Sequence, residues 1–490
     1  MRRRDFLKSV GAGGSALVVG GHLTMGVSMS DQSTEGDSLA NLSVDCSEVV
    51  GEIRSLIGVN RGPYSFARRE GQKTVSHLES YRNLGIDFIR THDFYGPTDW
   101  HVIFPDWSAD AEDPDSYDFE SSDVRIKAIV ENGFRCFFRL GTSWKGRREG
   151  PINDPPGTLR DSEGEVVHAA DRDDCKKWAQ ICVQTMRHYL EGWKEGYSFP
   201  IEYWEIWNEP DLAAQFWTGT PEQFYTMYEE ASRAIKATFP QVKVGGPACT
   251  GAFREPYVEG FIRHCSDHEL PLDFFTWHSY GGRGGFNPYR YYQDARRMRE
   301  ALDGFGYQET ENINTEWNAG IRTRLFNHTP AGAAFYASTM ACMLDAGVKY
   351  AFQYCGDSHP GLGLHDRETG EPMICGYAFL AWKKLIQAPV RVAATGSDKN
   401  GYNIVAGKDA ASEKVRILIS DYQSDQNAFQ LHVANLPWEA ETNFQVTRFL
   451  LDEEHNLTVV EDLTEKGREF QLERPFKAAS VCMIEINRKT

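Results

Sequence analysis

Two periodicities divide the chain. From about residue 51 to 390, short apolar runs alternate with longer segments in which apolar residues recur every three or four positions; beyond 390 the pattern becomes alternation. Bounded by Gly, Pro, Asn and Asp, the short runs read as strands. They lie at Ser55 to Asn60, Asp87 to His92, Arg135 to Gly141, the stretch opening at Ile201, Val242 to Gly246, Asp273 to Ser279, Ile313 to Glu316, and Tyr350 to Cys355. Between them stand helices. In the segment Cys175 to Trp193, Trp178, Ile181, Cys182, Met186 and Tyr189 share one face. Another helix opens with Thr220-Pro221-Glu222-Gln223, a capping box with proline at the first helical position, and Gly85 marks the end of a third. Eight strands alternating with helices predict a (β/α)8 barrel over residues 51–390.

In the last hundred residues Val415, Ile417 and Ile419 alternate along one run and Phe429, Leu431 and Val433 along another, while Ser480 to Ile486 is apolar on both faces. That predicts an accessory β-sandwich at 391–490 packed on the barrel. The third gap is the longest, and it holds a polar insertion, Trp144 to Asp171. On a barrel such an insertion overhangs the face where active sites are built.

Composition narrows the function. An aromatic share of 12%, with 12 Trp, suits a carbohydrate binder, although a large core also uses aromatics. The formal charge of −18 excludes nucleic acid and an anionic membrane surface as partners, since either requires a basic face. Ten cysteines form no Cys-x-x-Cys pair and no cluster with zinc-ligand spacing, so neither a metal nor a cofactor is expected. Most lie within apolar runs, where a free thiol packs as a small hydrophobe, and few or no disulfides are expected.

The chain opens MRRRDFLK, followed by a Gly-rich, mildly apolar run to Met29. Residues 1–30 resemble a twin-arginine export signal, with small residues at Ser28 and Ser30 near a cleavage point. The run is too short and Gly-rich to span a membrane. The expected location is periplasmic or extracellular, with no membrane association after export. Residues 31–50 read as a polar leader passing into a possible strand.

Two stretches carry the chemistry. IEYWEIWNEPD, from Ile201 to Asp211, is a β-branched and aromatic strand stopped by a proline that cannot continue a ladder, so Glu209 stands where a buried strand emerges. Asn208 lies beside it, and Trp207 and Trp204 offer flat surfaces on which sugar rings stack. INTEWNAG, from Ile313 to Gly320, places Glu316 in the same setting. At about 35 residues per strand and helix, three units separate the two glutamates, which puts them on strands four and seven.

The pairing of WNEP with TEW resembles the acid/base and nucleophile strands of clan A glycoside hydrolases, and the chain from about Gly58 onward is most similar to family 39, the β-xylosidases and α-L-iduronidases. The resemblance implies a retaining mechanism with Glu209 as acid/base and Glu316 as nucleophile. It implies further that Asn208 holds the sugar 2-hydroxyl and that Leu42 to Val50 forms a strand joining the C-terminal β domain. In FIRTHD, Arg90 and His92 share one face of strand two. Arg90 needs a buried partner, Glu205 or Glu316, and resembles the arginine that keeps the nucleophile ionised. His92 is either a substrate contact or a structural histidine. In WHSY, His278 and Tyr280 match groups that steady the nucleophile.

On strand eight, Tyr354 in FQYCGD stands where the family has a Trp beneath the sugar, a smaller platform. The following GLGLHDRETGEP is like the family's loop, but Met373-Ile374 replaces its usual Lys-Pro. The resemblance thus implies an exo-acting β-xylosidase-like enzyme on an oligo- or polysaccharide. One alternative is an α-L-iduronidase-like hydrolase, in which Arg61 and Arg283 fork onto a uronic acid carboxylate. The other is a carbohydrate-binding protein without turnover.

Overall fold

The computed structural model describes residues 39–489 apart from 68–70, 145–157, 161–165, 169–171, 213–215, 218, 253–256, 282–286, 321–325, 359–360, 367 and 410. The segment read as an export signal, Arg283 and most of the insertion after strand three therefore lie outside the described residues. No described helix is long and apolar enough to cross a membrane.

Eight parallel strands close into a barrel: Gly58–Asn60, Phe88–Arg90, Arg135–Leu140, Tyr203–Ile206, Lys243–Cys249, Phe274–Tyr280, Glu311–Asn318 and Ala351–Gln353. Each ladders with its sequence neighbours, and Phe352 opposite Gly58 closes the ring. These are the eight runs read from the sequence, with different ends. The flanks of strands one, four and eight are apolar because they pack, not because they pair. Strand seven outruns its expected span because Glu311 to Asn318 finds a partner along strand six for almost its whole length.

The expected helix at Cys175 runs Arg172–Leu190, with its five predicted core residues buried. It stops short of Trp193 because Gly192 turns the chain at φ 76°. The capping box is closed in both directions, Gln223 N–H donating to the Thr220 hydroxyl (3.3 Å) and Thr220 N–H to the Gln223 amide oxygen (2.7 Å).

Inside the barrel the period of two stacks one layer on another. Phe88, Phe137, Tyr203, Phe274, Ile313 and Phe352 form an aromatic floor of their own. Two positions further along strands two, three and four come Arg90, Arg139 and Glu205, all fully buried. Charged side chains thus rest on a base of packed apolar side chains, where the low local dielectric strengthens their pairing.

The C-terminal strands, Val390–Thr395 to Ser480–Arg488, build a nine-stranded, mostly antiparallel sheet around a separate core. Its ninth strand is Leu39–Glu52, antiparallel to Val390–Thr395 and parallel to Ala428–Ala434. The sheet curls so that its two ends face each other across that core, with the Phe444 and Phe470 rings 6.0 Å apart. It meets the barrel through Lys384 to Glu485 (2.8 Å) and Ser338 to Ser420 (2.9 Å). All ten cysteines are buried and free.

Candidate active site

Strand four ends at Ile206, and the next residues turn sharply. Trp207 and Glu209 both adopt left-handed backbone, at φ 73° and 46°. The turn is held by Trp207 N–H donating to Leu140 O (2.7 Å) and Glu209 N–H to Ala248 O (2.9 Å). Glu209 is thereby turned toward the barrel axis, and Glu316 reaches the same space from strand seven. Each offers a carboxylate oxygen within 4.8 Å of the other and of a His278 ring nitrogen.

Arg90 is the hub. It donates through Nε to Glu205 Oε2 (2.7 Å), through Nη1 to Glu316 Oε1 (3.0 Å) and Asn60 Oδ1 (2.9 Å), and through Nη2 to Asn208 Oδ1 (2.8 Å). The sequence left its partner open between Glu205 and Glu316; it binds both. Burial works against its charge, but the two carboxylates outweigh that and raise its pKa above the ordinary value. Because Arg90 engages the oxygen of Asn208, the amide nitrogen is left buried without a hydrogen bond. That nitrogen is a donor beside Glu209 with no protein acceptor.

Tyr280 donates to the second oxygen of Glu316 at 2.6 Å. His278 Nδ1 lies 2.8 Å from Glu209 Oε1 and 3.6 Å from Glu316 Oε2, so one imidazole spans the two carboxyls. Burial lowers the His278 pKa, which keeps the ring neutral near pH 7. His92 Nε2 stands 3.4 Å from Glu316 Oε1 and 3.3 Å from Asp93 Oδ1, and burial holds its pKa well below the ordinary value. Glu316 itself is pushed up to about 7. Burial is the main cause and Glu209 adds to it, against His278, Arg90 and the Tyr280 hydroxyl, which favour the anion.

Trp207 is not where the sequence reading put it. It was expected as a wall for a sugar ring, but it is 1% exposed, packed among Trp178 and Trp217, with its indole N–H on Phe216 O (3.0 Å). Its left-handed φ breaks the strand's alternation and turns the ring outward, away from the barrel mouth. Trp204 is likewise buried, stacked on Phe138. Tyr354 does border the site, its hydroxyl donating to Asp93.

Asp93 escaped the sequence reading. It follows His92 at φ 59°, so strand parity does not predict its side chain, although its place at the end of FIRTHD was a signal. A second buried pair, Arg139 with Asp99 (2.9 Å), also went unnoticed, yet Arg139 on an inward position of strand three called for such a partner. Glu209, His278 and Glu316 are spaced to hold a cation, but Arg90 already supplies positive charge to that cluster.

Residues 53–356 match the model of Glycosyl hydrolases family 39. A β-xylosidase of Caldicellulosiruptor saccharolyticus is 26% identical over 306 residues, 57% of this chain and 58% of that protein, so the chain spans little more than half of that relative's length. The human α-L-iduronidase is 21% identical over 229 residues, 44% of this chain and 31% of that protein. Among solved structures, a glucosidase from Croceicoccus marinus superposes with a TM-score of 0.75 at 27% identity, covering 93% of this chain and all of that one. A barrel with two facing glutamates, matched over more than half its length by one family model, places the chain in glycosyl hydrolase family 39.

Proposed function

We propose that the protein is a retaining glycosidase in which Glu316 attacks the anomeric carbon and Glu209 first protonates the departing oxygen and then activates water. One observation carries the proposal: the two carboxyl groups each present an oxygen within 4.8 Å of the other's, and one of them is held by Arg90 and Tyr280. Retaining enzymes need about 5–5.5 Å between the carboxyls and inverting ones about 6.5–9.5 Å, because inversion must fit a water between group and sugar. Donors from Arg90 and Tyr280 favour the anion on Glu316, the form that a nucleophile needs. Once Glu316 is esterified its charge is gone, the Glu209 carboxyl becomes more acidic, and it can take a proton from water. The free amide N–H of Asn208 is placed to donate to the sugar 2-hydroxyl.

Glu316 must be ionised to attack, and burial has raised its pKa to about 7. Activity should therefore fall as pH drops below about 7, where the nucleophile takes up its proton. In Glu209→Gln, assayed on an activated aryl glycoside, this acidic limb should move to lower pH, since the neighbouring charge no longer raises Glu316. An acidic limb unmoved by Glu209→Gln would assign it to another group.

For substrate, the favoured reading is exo-acting and β-xylosidase-like. The likeness to a β-xylosidase, higher in identity and coverage than that to the iduronidase, and the modest Tyr354 platform support a small neutral sugar. A uronic acid is disfavoured because Arg61 is already paired with Asp357 at 2.7 Å and so has no spare charge for a second carboxylate. Aryl β-xyloside, α-arabinoside, β-glucoside and a uronide, assayed on the mature chain, separate these readings. Turnover of β-xyloside above β-glucoside is the expected result, and release from the uronide alone would overturn it. The MRRRDFLK start supports export by the twin-arginine route, and replacing Arg3 and Arg4 by Lys should retain the protein in the cytoplasm.

A further inference from the structure

We infer a transition-metal site on the outside of the barrel, formed by Glu229, His264 and His268. Glu229 belongs to the helix Pro221–Thr238, His264 to the next helix, Tyr257–Asp267, and His268 follows one residue after its end. The two histidines are four residues apart and so lie on one face, with ring centroids 4.1 Å apart. Ligand-capable atoms of all three residues lie within 4.8 Å of one another.

Three features go beyond simple proximity. Glu229 Oε2 and His264 Nε2 face each other at 3.3 Å, yet both are buried and neither makes a hydrogen bond. Two ligands on a tetrahedral ion with bonds of about 2.0–2.1 Å are separated by about 3.3–3.4 Å. The observed gap is thus that of two atoms meeting at a shared ion. Second, His268 Nδ1 lies 2.9 Å from the carbonyl of His264, which fixes Nδ1 as the donor and leaves Nε2 as the ligand atom. A ring N–H donated to a backbone carbonyl is the usual support of a metal-bound imidazole. Third, the site is graded: Glu229 is buried, His264 intermediate and His268 exposed, so the fourth position opens to solvent and can take a water.

The surrounding charges permit this. Arg172 (3.5 Å) and Arg233 (3.7 Å) approach Glu229 through its other oxygen, Oε1, and both are about half exposed, where water screens them. Two imidazoles and a carboxylate suit Zn²⁺ and are too nitrogen-rich for Ca²⁺ or Mg²⁺. The ion would tie together the helices that follow strands four and five, so its effect would be on stability rather than on turnover.

The test is titration of untagged, chelator-treated protein with ZnCl₂ by calorimetry, together with the thermal midpoint with and without Zn²⁺. Wild type should bind one equivalent and melt a few degrees higher with the ion. His268→Ala, at an exposed position, should fold and turn over glycoside as wild type does while losing more than tenfold in affinity and all of the thermal gain. Glu209→Gln should keep both, which separates this site from the carboxyl cluster in the barrel. Absence of stoichiometric binding, equal binding by His268→Ala, or loss of binding in Glu209→Gln instead would each overturn the assignment.

Discussion

Glu316→Gly should lose on the order of 10⁴ or more in kcat on every aryl glycoside that the wild type cleaves, because no other group can form the bond to the anomeric carbon. Arg90, Tyr280 and His278 surround the vacated position, but the guanidinium has no basic lone pair, the phenol stays protonated because burial raises its pKa, and the imidazole is held on Glu209 at 2.8 Å. Azide should restore turnover by occupying the cavity left by the carboxylate. Entering from the face that Glu316 used, it gives a glycosyl azide of inverted configuration in one displacement. Glu209→Ala should behave differently. Substrates with poor leaving groups should fall by about 10²–10⁴, the usual worth of a positioned acid, and those with activated phenols far less. Azide then intercepts the glycosyl-enzyme from the acid/base side and yields a product of retained configuration. The two azide products have opposite anomeric configurations, which proton NMR distinguishes directly. The same configuration from both variants would mean that the roles of the two glutamates are wrongly divided, and wild-type rates in both would end the two-glutamate reading altogether.

The placement of the two glutamates was legible in the sequence because the local signals were redundant. A β-branched and aromatic run, a carboxylate and then a proline reads as a strand end, and a second apolar run ending in a carboxylate, INTEW, follows at the spacing of three strand-helix units. Arg90 was legible for a different reason: a cation on an inward strand position needs an anion, and the sequence offered two within reach. Trp207 was misread because it was judged by its nearness to Glu209 in sequence and not by the direction of its ring. The ladder ends at Ile206, and the left-handed backbone of the next residue sends the indole into the outer core, which no period-two rule anticipates. Asp93 was missed because its φ of 59° places it beyond the reach of parity. The strand Leu39–Glu52 illustrates the remaining limit. The family resemblance implied a strand here joining the C-terminal β domain, but its two partners lie more than 300 residues away, and only the assembled sheet identifies them.

Arg90→Met should damage both stability and turnover, and the way the two respond to pH separates them. The side chain is fully buried and serves four acceptors, two of them carboxylates. Removing it leaves Glu205 and Glu316 facing each other's field without a counter-charge, a loss of about 3–5 kcal/mol for a broken buried pair. Arg90 is also one of the groups that hold the Glu316 pKa down, so its loss moves that carboxyl above its present value of about 7. At neutral pH the nucleophile is then mostly protonated and kcat/KM falls, with the acidic limb moved to higher pH. The stability cost has the same origin, and its pH dependence follows with a definite sign. A carboxyl whose folded pKa lies above its unfolded one destabilises the fold at high pH and ceases to do so as it takes up its proton. The difference in thermal midpoint between Arg90→Met and wild type should accordingly be largest near pH 8 and shrink toward pH 5. Adding Glu205→Gln to Arg90→Met removes one of the two unpaired charges, so it should recover much of the stability while leaving turnover low, because nothing returns the donor that Glu316 has lost. A double variant that regained activity together with stability would show that Arg90 serves the fold alone, and that Glu316 does not depend on it for its charge.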